Sequence, residues 1–172
     1  MTKPMMDLPM NTKSDTCGCG GPPSHVDVPC PSCGAKGMRV KAGTVRYHLN
    51  EEFRGDAEGI YGLCLSADCE VSWYAQDGSH HFTTAQTETP IWTKDGADPV
   101  YACYCNEITR DMVRYCVSRK GMRTPEEIYA HYLDGEPVCA CAARNPSGQC
   151  CNETFEKMIG EELMETLRCK CG

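Results

Sequence analysis

The sequence predicts an α+β chain built from two small modules, an antiparallel β module followed by a helical one. Three observations predict it. Cysteine supplies 15 of the 172 residues, and a share of about 9% marks a chain scaffolded by cross-links or bound ions rather than by one large core. Aromatic residues make up only 8% of the chain, too few for either half to hold itself by apolar burial alone. The pattern also changes along the chain, from strand-like alternation to helical spacing with capping signals.

Each element follows in order. Residues 1–27 are rich in Met, Pro, Gly and polar residues without apolar periodicity, and read as a flexible tail carrying Met5, Met6, Met10, Cys17 and Cys19. Residues 28–84 read as the β module. Val45, Tyr47 and Leu49 alternate with polar partners, as do Val71 and Trp73, and Gln76-Asp77-Gly78-Ser79 is a hairpin turn between two strands. Residues 85–99, with Pro90 and Pro99, read as a linker.

Residues 100–168 read as the helical module. Thr109 caps a helix running to about Lys120, with Gly121 as its stop. Thr124-Pro125-Glu126-Glu127 is a capping box with Pro at the first helical position, and that helix ends near Asp134-Gly135. A third helix over 151–168 places Phe155, Ile159, Leu163 and Leu167 on one face, with Gly160 as a possible break. Residues 169–172 form a short Cys-x-Cys tail.

Composition excludes several function classes. The formal charge is −7, and an acidic chain without a basic stripe does not suit nucleic-acid binding. No apolar run approaches the ~18–20 residues of a membrane span, so no membrane insertion is expected. The first residues, MTKPMMDLPMNTKSD, lack an apolar signal core. The expected compartment is therefore the reducing cytoplasm, where cysteines more often bind metals than pair as disulfides. An odd cysteine count also excludes a framework in which every cysteine pairs within the chain. No Ser/His/Asp or Cys/His arrangement, phosphate loop or dinucleotide fingerprint is legible, so the chain reads as non-enzymatic.

The cysteines fall into two constellations. Cys30-Pro31-Ser32-Cys33-Gly34 is a zinc-knuckle sequence, and Cys64 and Cys69 form a looser second pair between strands. Four thiolates across a small sheet match the closed tetrahedral site of structural zinc, preferred here over a single iron. Buried free thiols or a disulfide are the alternatives. Further on, Cys103-Tyr104-Cys105 precedes a helix, Cys139-Ala140-Cys141 follows, and Cys150 and Cys151 open the last helix. Thiolates converging from loops near helix N-termini are what an iron–sulfur cluster requires, and Arg110, Arg114 or Arg144 would offset its negative charge. A second zinc site is the alternative.

The run CYCNEIT followed by CAARNPSGQCC resembles the 2Fe–2S domain of the CopZ copper-chaperone family, which is similar to the bacterioferritin-associated ferredoxin domain. In that family it follows a zinc-binding module with a CPxC pair and a Cys-x4-Cys pair, the order found here. The resemblance covers about residues 28–160, and NPSG-x-CC is its most specific part. It implies a 2Fe–2S cluster held by Cys103, Cys105, Cys141 and Cys151, the last preferred to Cys150 because the family pattern favours the second of the pair. Cys139 matches no family ligand but lies close to Cys141. Family members end in a heavy-metal-associated copper domain with a Met-x-Cys-x-x-Cys loop, a motif this sequence lacks.

The remaining cysteines sharpen the functional expectation. Cys17 and Cys19, like Cys169 and Cys171, form Cys-x-Cys pairs near the termini, a spacing that suits Cu(I), though a tail without ligand is the plainer reading. Cys116 reads as a small core residue. His80-His81 read as a solvated strand edge, and His25, His48 and His131 as isolated. Glu161, Glu162 and Glu165 read as a solvated acidic face. The expectation is a zinc- and 2Fe–2S-binding protein in copper handling or its redox support, with a copper-transport protein or redox protein as partner. A one-electron carrier or redox-sensing module without a copper role is the alternative.

Overall fold

The computed structural model describes residues 23–170. Five strands form an antiparallel meander: β1 (His25–Pro29), β2 (Lys36–Lys41), β3 (Ile60–Leu63), β4 (Val71–Ala75) and β5 (His81–Thr83), paired in chain order. Met38 pairs with Leu63, Leu63 with Trp73, and Trp73 with Phe82. The predicted hairpin is present, closed by the Ala75 N–H donating to the His80 carbonyl at 2.9 Å. Interior strand β4 is buried along its whole length.

The two faces of this sheet hold different material. Val40, Val45, Leu49, Tyr61, Leu63, Trp73 and Phe82 form an apolar core on one face. The other gathers Val26, Val71 and Tyr74 around Cys30, Cys64 and Cys69. Tyr74 lies across β2 and β3, where Gly37 donates its N–H to the phenol at 2.7 Å. A Cβ at Gly37 or at Gly62 would come within 2.6 Å of the Tyr74 side chain. Glycine at these positions is the floor on which the ring rests.

One expectation is overturned by the fold. Residues 42–48, read as strand from the alternation of Val45, Tyr47 and Leu49, form helix α1 (Ala42–His48). Val45 and Leu49 are fully buried while Tyr47 is 47% exposed. Val45 and Leu49 stand four residues apart, one turn along a helix, so the same two apolar positions satisfy either period.

The helical module begins with the short pair β6 (Tyr101–Cys103) and β7 (Ile108–Thr109). Thr109 caps α2 (Arg110–Tyr115), which continues as a π-helical turn over Cys116–Lys120 and stops at Gly121 with φ 71°. Thr124 caps α3 (Pro125–Tyr132) through the predicted box with Glu127. The short α4 (Cys141–Arg144) and the long α5 (Asn152–Lys170) complete it. Gly160 does not break α5, and Cys169 is helical where a tail was expected. Phe155 and Ile159 are buried, but Leu167, on the same face, is 58% exposed. Cys116 lies in the core with Val113, Val117 and Ile128.

The predicted linker is packed rather than free. Ile91 is buried in the sheet core, and Trp92 packs against both the sheet core and the helical core. The Tyr104 hydroxyl accepts from the Trp92 N–H at 3.0 Å and donates to the Pro90 carbonyl at 2.7 Å. α1 meets α4, where the Thr44 hydroxyl donates to the Ala142 carbonyl at 2.6 Å, and Trp73 Nε1 donates to the Pro146 carbonyl at 3.1 Å. Among the described residues, no helix is long and apolar enough to cross a membrane.

Candidate metal centres

The first centre is built on the polar-chemistry face of the sheet. Cys30 and Cys33 flank a tight turn in which the Gly34 N–H donates to the Cys30 carbonyl at 2.9 Å, with Gly34 at φ 74°. Cys64 follows β3 and Cys69 precedes β4, so the strand ends at one end of the sheet bring both pairs together. The sulfur donors of Cys30, Cys33, Cys64 and Cys69 all lie within 4.8 Å of one another. Cys30 and Cys69 sulfurs are 3.9 Å apart, and those of Cys33 and Cys64 are 3.5 Å apart. Four sulfurs at about 2.3 Å from one tetrahedral ion stand about 3.8 Å apart, so the set has the dimensions of a single-ion site.

Its electrostatics call for a cation. Burial pushes the Cys30 thiol up to about 12 and raises Cys64 as well. The Ser66 hydroxyl, 3.3 Å from the Cys33 sulfur, brings that exposed thiol down to about 6. Without an ion, desolvation keeps Cys30 and Cys64 protonated; a dication reverses the balance.

The second centre draws on three segments. Cys103 ends β6, Cys105 lies in the following turn, Cys141 opens α4, and Cys151 immediately precedes α5, accepting from the Phe155 N–H at 2.8 Å. All four are buried. Cys105 and Cys141 sulfurs are 3.5 Å apart. Side-chain hydrogen bonding runs round the four as a ring, from Cys103 to Cys105, Cys141, Cys151 and back. Among the described residues, only the first centre gathers three or more ligand atoms within 4.8 Å of one another, so this set is wider than a single ion takes. Hydrogen bonds from Cys105 and then Cys151 hold the Cys103 thiol far below the usual range, while sharing with Cys103 pushes Cys151 up to about 12. The positive end of α5 faces Cys151.

The element between Cys141 and Cys151 is held by its own side chains. Asn145 Oδ1 accepts from the Ser147 N–H and hydroxyl at 3.1 and 3.0 Å, and the Ser147 hydroxyl accepts from the Gln149 N–H at 3.2 Å. Gly148 takes φ 67°. This Asx turn explains why the segment reads Asn-Pro-Ser-Gly.

Residues 27–88 match the zinc binding domain of the CopZ family. The copper chaperone CopZ of Archaeoglobus fulgidus is 29% identical over 129 residues, covering 75% of this chain. Over these residues the chain is similar to CopZ. That match spans 60% of the relative's own length. The X-ray structure of the A. fulgidus CopZ N-terminal domain superposes with a TM-score of 0.62 at 26% identity, covering 76% of this chain and 97% of that one. The CopZ zinc-binding match encloses Cys30, Cys33, Cys64 and Cys69, and the first module is a zinc-binding domain.

The structure brings together the two cysteine quartets named from the sequence, and separates others from them. Cys150 is half-buried and stands apart from the ring that Cys151 joins. Cys139 is exposed. Cys169 is exposed on the last turn of α5, whereas Cys17, Cys19 and Cys171 lie outside the described residues. Of the arginines expected to offset cluster charge, two pair with glutamates and Arg144 lies beside the second centre. Arg110 pairs with Glu161 and Glu162, Arg114 pairs with Glu162 at 3.2 Å, and Arg144 donates to the Cys105 carbonyl at 3.2 Å. Glu162 is 6% exposed, so it is a buried anchor for α2 rather than part of a solvated face.

Sequence reasoning missed several residues around the centres. Asn106 donates through Nδ2 to the Cys103 sulfur at 3.3 Å and clamps Val138 on both sides. The Ala140 N–H donates to the Cys105 sulfur at 3.3 Å, and Tyr129 stands 3.8 Å from the Cys151 sulfur. Burial raises the Tyr129 phenol well above its usual range, so it remains a donor. His48 is wholly buried, stacked 5.8 Å from Trp73 and edge-on to Tyr104, with neither ring nitrogen hydrogen-bonded. Burial holds it at about 4. Asn106, directly after the Cys-x-Cys pair, was the one legible signal among these.

Proposed function

We propose that this chain carries a 2Fe–2S cluster on Cys103, Cys105, Cys141 and Cys151 beside its zinc-stapled module, and acts without catalysis in copper handling or its redox support. The observation that carries the reading is the buried ring of four sulfurs, wider than a single tetrahedral ion takes. The donor set fits: it is all thiol, buried, and supplied with N–H donors at Cys103 and Cys105. When bound, the group supplies one-electron chemistry. The chain's own residues exclude water, hold the thiolates and donate hydrogen bonds to them.

Copper enters through the relative's name and the terminal cysteine pairs. Cys17 with Cys19 and Cys169 with Cys171 would hold Cu(I), and reduction of Cu(II) consumes one electron that a redox partner protein resupplies. A copper-transport protein would receive the ion.

Protein made and purified without oxygen tests both parts. Expected are zinc, two irons and two sulfides per chain and a visible spectrum bleached by dithionite, lost in Cys105→Ala and Cys151→Ala. A colourless protein holding only zinc overturns the cluster. Anaerobic Cu(I) titration, with and without the terminal pairs, decides the copper role. Binding lost with the pairs supports it, and no tight binding leaves a one-electron carrier.

A further inference from the structure

We infer that Tyr129 sets the reduction potential of the second centre by donating its phenolic hydrogen to the Cys103–Cys151 side of the ring; this rests on the cluster reading above. Its hydroxyl lies 3.8 Å from the Cys151 sulfur and also hydrogen-bonds the Cys103 side chain. Its ring is fixed edge-on against the fully buried Phe155, 5.4 Å away, on the well-capped helix α3. Donors are unevenly spread round the ring. Cys103 receives Asn106 Nδ2 as well as Tyr129, whereas Cys105 receives the Ala140 N–H. Cys105 and Cys141, with sulfurs 3.5 Å apart, form the opposite side.

The physical consequence is directional. Adding one electron makes the thiolate-bound group more negative, and a hydrogen bond to a more negative acceptor is stronger. A donor aimed at two of the four sulfurs therefore favours the reduced state, and hydrogen bonds to the sulfurs are among the determinants of potential in such sites. No bond is broken and no proton moves: the phenol keeps its hydrogen and all four thiolates stay attached. The ring of Tyr129 also packs in the helical core, so a variant that keeps the ring and removes only the hydroxyl separates the two roles.

The test is anaerobic redox potentiometry of full-length Tyr129→Phe, with iron and sulfide contents and the paramagnetic-resonance spectrum of the reduced state recorded alongside. The expected result is a reduction equilibrium constant lowered about threefold to tenfold, the upper end being 59 mV for one electron, with altered g-values and unchanged iron content. Tyr132→Phe, whose hydroxyl reaches the Met112 carbonyl instead, should match wild type. An unchanged potential in Tyr129→Phe overturns the inference and leaves the cluster reading standing, whereas a wild-type protein without iron, sulfide or colour overturns the cluster reading itself. If Tyr129→Phe does not load, difluorotyrosine at position 129, of the same shape and a stronger donor, must raise the potential; an unchanged value there overturns the inference equally.

Discussion

The two centres are made from the same donor atom in nearly opposite ways. The zinc module takes four cysteines from two short turns at one end of a continuous sheet, and its sulfurs close to within 4.8 Å of one another. The helical module draws four from three segments, with a ring of sulfurs that opens wider. The first is a compact staple for a sheet with little other core on that face. The second is a lined chamber, with Asn106, Ala140 and Tyr129 already facing the sulfurs. The difference teaches that cysteine count alone does not describe a thiol site: the spread of the sulfurs and the groups aimed at them separate these two.

The largest expected effect breaks the comparison by removing one ligand from each side. Cys64→Ser should lose zinc and lower the thermal midpoint by more than about 10 °C, since structural zinc supplies a large share of a small module's stability. Cys105→Ala should keep its zinc while losing iron, sulfide and colour. Metal analysis and circular-dichroism melts check the crossover, and a Cys105→Ala protein without zinc would show that the centres do not load independently.

Next in size is a pH effect at the seam between the modules. His48 titrates at about 4 in the fold and near 6.5 in an unfolded chain, so the unfolded state takes up its proton first as pH falls. Its contribution is complete above about pH 6.5 and declines between 6.5 and 4, a loss on the order of 3 kcal/mol. His48→Phe should flatten that part of the stability profile, measured by urea unfolding across the window. A third, smaller effect sharpens the description of the sheet: Gly62→Ala places a methyl against Tyr74 and should cost about 1–3 kcal/mol, leaving zinc stoichiometry unchanged.

What was legible in the sequence was local chemistry. The Thr124-Pro125-Glu126-Glu127 start, the Gly121 stop, the hairpin turn and the first cysteine pair each depend on neighbours a few residues away, and all are present. The second quartet was legible only because NPSG and the paired cysteines resemble a known family. What failed required tertiary knowledge. Val45 and Leu49 fit both periods until the exposure of Tyr47 decides between them. Glu162 reads as a solvated carboxylate until α2 brings Arg110 and Arg114 against it. Tyr129 lies far in sequence from the thiols it faces, and nothing in its immediate neighbours marks it.

Both tryptophans of the chain sit at the join between the modules: Trp73 gives its indole N–H to Pro146, and Trp92 packs against both cores. Intrinsic fluorescence therefore reports the seating of the Asn-Pro-Ser-Gly turn on the sheet, and does so without a label. Emission from Trp73 should shift to longer wavelength when that turn lifts away, so a single optical channel follows whether one half of the protein senses the state of the other.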